Sequence, residues 1–469
     1  MWRSCGWIAA NLQEHGIARG DVLAISGIPL RQRLPLILAL ARLGAVSTGV
    51  EASMPLAQRD ELFRHNGAVA WVTAELPAEQ GNAPRSIDPG EVFRPGTEGS
   101  RIPPLASGLE GQVWRIALSS GTTGVSKCIA LTHRQAALQQ RLSLDVYPNG
   151  PRERLLVLAD MNIGFALGHS MHQLAAGGAL ILPRSIDAAD MYESLSDAPT
   201  RIVTTPAIAN ALVRHARAQP QPPRVDGLLS ILLFGAAVPP ALRAELETLF
   251  CPNIGVVYGS TEIGSTARAD LNSTLEAPQS AGRLLPWIEG QAVDEAGLPL
   301  PAGQPGRLRF RSPTMATEYL GSPEATAQAF RGGWFYSGDT GSVDGARNLT
   351  LGGRSNDVLN LDGVKTDPAR IEAALNEYPG IAESAVTAIR RRDDGMLLAM
   401  LVVPADPAAK IDDEALMAYI VGRLGRQHSH QRVFAASELP RTPAGKLDRT
   451  QLPALAEALR ERAQPPAAH

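Results

Sequence analysis

An α/β fold in more than one packed unit is what this chain predicts, and three observations carry the prediction. Its 469 residues exceed what one ordinary hydrophobic core organises, so two or three packed units are expected. Strand-like and helix-like stretches alternate from the start. Trp7–His15 reads as a helix stopped by Gly16, Asp21–Ser26 as a strand, Leu34–Leu43 as a helix closed by Gly44, and Ala45–Val50 as a strand. The alternation continues through Glu61–Arg64 and Val69–Thr73, which argues for a parallel sheet with helices on its faces. The third observation is Leu228–Phe234, a continuous apolar run that reads as a strand buried on both faces.

Composition narrows the partners. Apolar residues make up 44% of the chain and charged residues 19%, the balance of a globular protein, and a net charge of −3 gives no reason to expect nucleic acid or an anionic membrane. Cys5, Cys128 and Cys251 are widely spaced and form no metal-binding pattern, which suggests free thiols in a reducing compartment. The opening M-W-R-S-C-G-W-I-A-A-N-L-Q-E-H turns polar within a few residues of Trp7, unlike a signal peptide. No apolar run approaches the ~18 residues of a membrane span. A cytoplasmic enzyme is the expectation.

Glu75–Ser107, rich in Pro and Gly, reads as an exposed connection into the stretch that organises the rest, I-A-L-S-S-G-T-T-G-V-S-K-C-I-A-L-T from Ile116 to Thr132. Ile116, Ala117 and Leu118 read as a buried strand feeding a loop of hydroxyls and glycines. Gly121 and Gly124 permit positive φ and close backbone approach, so successive N–H groups can form an anion nest. Ser119, Ser120, Thr122 and Thr123 add hydroxyl donors, and Lys127 adds a point charge suited to phosphate. The second glycine stands three residues before the lysine, which separates this loop from that of the P-loop NTPases. The loop closely resembles the signature S-S-G-T-T-G-x-P-K-G of the adenylate-forming superfamily: acyl-CoA synthetases, aryl-acid ligases, luciferases and carrier-protein-loading adenylation domains. Ser126 stands where that family has proline, and Cys128 where it has the last glycine.

The resemblance extends over nearly the whole chain after about residue 20, and it implies a first subdomain shortened by some tens of residues. Gln135–Leu142 reads as a helix and Arg154–Leu158 as a strand. Ala159–Leu182 then matches the family segment that walls the carboxylic-acid pocket, with Asn162 where aryl-acid members carry His, Phe or Asn. The run G-F-A-L-G-H-S resembles benzoate-type CoA ligases, while Asp160 lies two residues early for the aspartate that amino-acid-activating members use. Phe165 reads either as pocket floor or as core. His169 and His172, a turn apart on a helix, read either as locally satisfied or as touching substrate.

Arg201–Thr205 reads as a strand and Ala207–His215 as a helix. Leu228–Phe234 opens into G-A-A-V-P-P, where Gly235 and Ala236 let a flat base approach the backbone. The strand Gly255–Val257 ends in Y-G-S-T-E, a second family match about 130 residues after the loop. By that match Tyr258 and Gly259 face the adenine, Thr261 donates to the α-phosphate, and Glu262 is an oxygen ligand for Mg²⁺. Ile263 and Gly264, directly after it, fall to the acid pocket.

Ala281–Arg311 reads as a small β-rich unit, with Gly306–Arg311 as one of its strands. In G-G-W-F-Y-S-G-D-T-G the resemblance makes Asp339 the acceptor of the ribose hydroxyls, and in L-G-G-R-S-N-D it makes Arg354 the second ribose contact. Two residues on, Asn356 occupies the family's hinge, where Asp or Lys is usual. The division expected is residues 1–354 as the ATP- and acid-binding core and 355–469 as a small, mobile α+β lid. In the lid, Gly363 and Lys365 resemble the loop that faces a thiol tunnel. Asp367 or Thr366 caps a helix with Pro368 in its first turn, and strands at Ala385–Ile389 and Leu397–Val403 precede a helix over Asp412–Leu424. E-L-P-R-T-P-A-G-K-L-D-R, the fourth match, presents Lys446 on a glycine-containing loop.

Together these matches imply activation of a carboxylic acid by MgATP to an acyl-adenylate, followed by transfer to a thiol. An aryl acid is the favoured substrate and CoA the favoured acceptor. Another small acyl acid, loading of a carrier-protein pantetheine, or a nucleotide-binding relative without turnover are the alternatives.

Overall fold

The amino-terminal alternation builds a six-stranded sheet in the spatial order Arg85–Ile87, Ala68–Val72, Val22–Ile25, Val46–Gly49, Val113–Ser119, Lys127–Thr132. The computed structural model of the chain describes residues 2–50, 54, 56–74, 84–96, 102–119, 127–147, 149–220, 225–269, 280–354, 357, 359–361, 364–391, 395–406, 408–409, 411–425, 430–442 and 446–462. Neighbouring strands of this sheet run parallel except the last pair, an antiparallel arrangement that puts Lys127 opposite Ser119. The helix Leu30–Leu43 packs Leu34, Ile37 and Leu40 onto Leu23 and Ile25. It stops at Gly44, whose φ of 73° lets its N–H return to the carbonyls of Leu40 and Ala41.

The stretch expected as an exposed connection is in part structured. Arg85–Ile87 forms the parallel edge strand, and Asp88 caps the helical turn Pro89–Val92. Ile87 and Val92 are buried against the helix side of the sheet, so three residues suffice for a strand too short to show a period.

A second, twelve-stranded sheet carries the functional half. Its parallel part runs Ala179–Ile181, Arg154–Leu158, Arg201–Thr204, Ser230–Phe234, Ile254–Ser260. Ser230–Phe234 gives Ile231 and Leu233 to one core and Leu232 and Phe234 to another, the two-faced burial its sequence demands. Past Ile254–Ser260 the sheet turns antiparallel through Gly264–Ala269, Ser280–Leu284, Asn348–Arg354, Trp334–Val343, Gly306–Arg311 and Glu289–Val293. The β-rich unit is thus hydrogen-bonded onto the parallel strands as their continuation.

The small carboxy-terminal domain packs the sheet Ile381–Arg390, Met396–Pro404, Gln431–Ala435 between the helices Pro368–Asn376 and Asp413–Leu424 on one face and Leu452–Arg462 on the other. Asp367 is the residue that caps the first of these helices, accepting from Ala369 N at 3.0 Å. Asp412 caps the second through the N–H groups of Glu414 and Ala415. Among the described residues no helix is long and apolar enough to cross a membrane.

Candidate active site

Glu262 sits at the tip of a hairpin that only glycines allow. Gly259 and Ser265 are register partners across it, as are Ser260 and Gly264. A Cβ on Gly259 would lie 2.3 Å from the carbonyl oxygen of Gly264, and Gly264 itself has φ of +77°. The tight turn holds the Glu262 carboxylate in a buried position, where its Oε1 accepts a hydrogen bond from the Tyr319 hydroxyl at 2.9 Å. Lys127 Nζ lies 4.7 Å from the centre of the Tyr319 ring. One tyrosine therefore joins the lysine at the exit of the hydroxyl-rich loop to the carboxylate on the hairpin. Burial and then the adjacent carboxylate push the Tyr319 phenol well above its ordinary range, so it stays a donor. Tyr319 lies outside every motif of the sequence. At the other end of the loop Ser119 is buried; Ser120, Gly121, Thr122, Thr123 and Gly124 lie outside the described residues.

Asp339 and Arg354 are cross-strand partners, and Arg354 Nε lies 3.2 Å from Asp339 Oδ1. The Tyr258 hydroxyl donates to the other carboxylate oxygen, Oδ2, and burial together with Asp339 raises the Tyr258 pKa well above its usual value. Gly235, with φ of +92° and open space where a Cβ would be, follows the strand Ser230–Phe234 and is succeeded by Ala236. Thr261 is half-buried beside Glu262. The hydroxyl of Ser260, the serine of Y-G-S-T-E, is buried without a hydrogen-bond partner among the described residues.

Lys446 comes to this cluster from the small domain. Burial lowers its pKa first and Arg354 lowers it further, while Glu262 and Asp339 act in the opposite direction. The ammonium therefore lies within electrostatic reach of all three. Its loop is closed by Thr442 N donating to Lys446 O at 2.7 Å and Lys446 N to Thr442 Oγ1 at 3.2 Å. Arg449, three residues on, grips Glu372 with two hydrogen bonds of 2.8 and 2.7 Å and lies 3.0 Å from Asp357. Asn356 and Gly363 lie outside the described residues, and Lys365 falls in the strand Val364–Thr366.

On the acid side, Phe165 places its ring 4.2 Å from Phe234 and 4.3 Å from His169, and Tyr147 meets His169 edge-on at 4.5 Å. Gln139, Ser143 and Ser265 complete a cavity with Tyr147, Phe165 and His169. Gln139 crosses to the hairpin, since a Cβ on Gly264 would lie 2.8 Å from its Nε2. Burial, followed by His172, Arg268 and Arg201, drives the His169 pKa down to about 3, so the ring is neutral. Two expected pocket residues face elsewhere. Asn162 packs its amide against Gly49, where a Cβ would lie 2.1 Å from Oδ1, and Ile263 is buried in the core of the β-rich unit. The carbonyl of Asn162 accepts from the buried Arg115 at 2.9 Å. Asp160 is held in an ion pair with Arg33 and accepts from Asn162 N at 2.7 Å.

No group of three or more His, Cys, Asp or Glu that could hold a metal occurs among the described residues. A single buried carboxylate beside a phosphate site suits Mg²⁺, which keeps several waters and takes its remaining oxygens from phosphate. Glu262 is the buried carboxylate that would hold the ion.

A large α/β domain, whose strand ends receive a lysine from a small α+β domain, has the architecture of the adenylate-forming enzymes. The model of the AMP-binding enzyme family matches residues 1–320, and that of the AMP-binding enzyme C-terminal domain matches residues 370–446. The chain belongs to this family and is an enzyme of the AMP-forming acid–CoA ligase type. It is 28% identical to the 3-hydroxybenzoate–CoA/4-hydroxybenzoate–CoA ligase of Thauera aromatica, over 94% of this chain and 88% of the relative. It is 26% identical to a 4-chlorobenzoate–CoA ligase of Arthrobacter sp., over 95% and 87%. Among solved structures, o-succinylbenzoate CoA synthetase of Bacillus subtilis in complex with its acyl-adenylate superimposes with a TM-score of 0.82 at 21% identity, over 96% of this chain and 92% of that one. The same enzyme has been solved with ATP and a magnesium ion, with a TM-score of 0.82 at 21% identity over 96% and 93%.

Proposed function

We propose that the protein joins an aryl carboxylic acid to CoA in two steps at one site. The observation that carries this reading is the half-buried Lys446 ammonium, brought from the small domain within electrostatic reach of Glu262, Asp339 and Arg354. In the first step a carboxylate oxygen attacks the α-phosphorus of ATP and pyrophosphate leaves. Two anions must be brought together, so positioning and preorganised positive groups supply most of the acceleration. Lys127, with Ser119 and the loop residues Ser120, Gly121, Thr122, Thr123 and Gly124, holds the terminal phosphates. Tyr258, Gly259, Gly235 and Ala236 border the base, and Asp339 with Arg354 holds the ribose. Thr261 donates to the α-phosphate, and Lys446 bridges that phosphate and the attacking carboxylate. Mg²⁺, held by Glu262, offsets phosphate charge when bound.

In the second step the thiol sulfur attacks the acyl carbon and AMP leaves. Lys446 has no part in it, which fits a lid that turns at Asn356, with domains of 1–354 and 355–469, and brings Gly363 and Lys365 to the thiol. The aryl preference is supported by the stacked wall of Phe165, Phe234, His169 and Tyr147. Hydroxybenzoate and chlorobenzoate in the relatives' names point the same way. An amino-acid substrate is disfavoured, because Asp160 is already paired with Arg33. Pyrophosphate release with MgATP across aryl, fatty and amino acids, with and without CoA, tests the proposal. Release with aryl acids and turnover only with CoA is expected; release with another acid class alone would overturn it.

A further inference from the structure

Behind the aromatic wall lies a second cavity, and Tyr147 and His169 form the partition between the two. Its lining comes from the starts of the parallel strands at 201–203, 230–232 and 255, and from Arg268 on the adjoining antiparallel strand. The space it encloses is about 390 Å³, a figure that includes open solvent at its mouth.

The charge in this cavity is unbalanced. Arg201 lies 3.4 Å from Glu153 and is matched. Arg268 has no carboxylate partner among the described residues. One of its terminal nitrogens donates to the Val146 carbonyl at 3.0 Å, its guanidinium lies 5.2 Å from the Tyr147 ring centre, and its Nε is buried with no hydrogen-bond partner. A buried guanidinium with an orphaned N–H and no counter-charge calls for an anion. His169 is neutral, so it does not supply a competing charge.

We propose that this second cavity is the distal subsite of the acid pocket, where Arg268, beyond the Tyr147–His169 partition, pairs with a second carboxylate carried on the far end of an aryl acid. The proposal rests on the aryl-acid reading of the first cavity. Tyr147 and His169 are the residues that the two cavities share, and the subsite requires a rotamer change of His169 that joins the two spaces. The carboxylate near Lys446 reacts; the one at Arg268 is held too far from the phosphate to do so.

Benzene-1,4-dicarboxylate and the longer 4-(2-carboxyethyl)benzoate, each beside its counterpart with methyl or hydroxyl in place of the distal carboxylate, provide the test. Pyrophosphate release is expected to show kcat/KM at least tenfold higher for one of the diacids than for its methyl counterpart. In Arg268→Met that ratio falls to within twofold of one, and Arg268→Lys keeps part of it. A wild-type preference for the methyl or hydroxyl member, or a ratio that survives in Arg268→Met, overturns the subsite. If Arg268→Met does not fold, the wild-type ratio and the Lys variant decide. Thermal shifts of the wild-type protein by each acid, with a non-cleavable ATP analogue present, separate the two claims. Diacid-selective binding without pyrophosphate release from any acid upholds the subsite while the ligase reading fails. Release without diacid selectivity does the reverse.

Discussion

Tyr319→Phe removes one hydroxyl and leaves its surroundings in place. The ring is 5% exposed, packs 5.3 Å from Phe330, and carries Lys127 Nζ on its face, none of which requires the oxygen. What is lost is the 2.9 Å hydrogen bond to Glu262 Oε1. A hydrogen bond to a charged group contributes about 1.5–3 kcal/mol. At about 1.4 kcal/mol per decade that is roughly a 10- to 150-fold effect wherever the bond is used. The carboxylate must stay buried with one oxygen unsatisfied, so the free protein is expected to lose about 1–3 kcal/mol of unfolding free energy, read from urea titration. The same carboxylate loses its orientation, so kcat/KM for MgATP should fall about 10- to 100-fold, with a raised Mg²⁺ requirement and little change in KM for the acid. Continuous pyrophosphate detection at several Mg²⁺ concentrations measures this. Wild-type stability together with wild-type kcat/KM would refute the idea that Tyr319 positions Glu262.

The other predictions divide the site by function. Lys446→Ala is expected to lower adenylate formation about 10²- to 10³-fold, as loss of a preorganised charge does, while thioester formation from supplied acyl-AMP is spared; equal losses in both half-reactions would make Lys446 structural. Asp339→Ala should mainly raise KM for ATP, and an unchanged KM would remove it from the ribose site. Acid should destabilise the fold through His169. Its folded pKa of about 3 lies below the ordinary 6.5, so the unfolded chain binds the extra proton between those values. Stability is full above pH 6.5 and is lost as pH falls toward 3, with a ceiling of roughly 5 kcal/mol. His169→Phe should flatten that slope in urea titrations at pH 7 and 4.5; parallel slopes would show that His169 is not the group responsible.

What the sequence made legible, and what it did not, follows from how far each constraint reaches along the chain. Glu262 is marked in the sequence by the short run Y-G-S-T-E, whereas the hairpin that Gly259 and Gly264 permit around it shows only in the fold. Gly44 and Asp367 mark helix ends by equally local signals. Ile263 sits in the turn between two strands, where side-chain alternation gives no guide, and only the packing shows it in the core of the β-rich unit. Tyr319 is another case, since it reaches Glu262 across 57 residues and nothing in its own neighbourhood demands a tyrosine. Arg268 is a third: its sequence shows an ordinary strand arginine, and only the packing of α/β strands against Tyr147 reveals a guanidinium without a counter-charge. The chemistry common to the family is therefore written in short motifs, because turning a chain around phosphate is a local problem. Under the subsite proposed above, the choice of acid is written in side chains that meet only after folding.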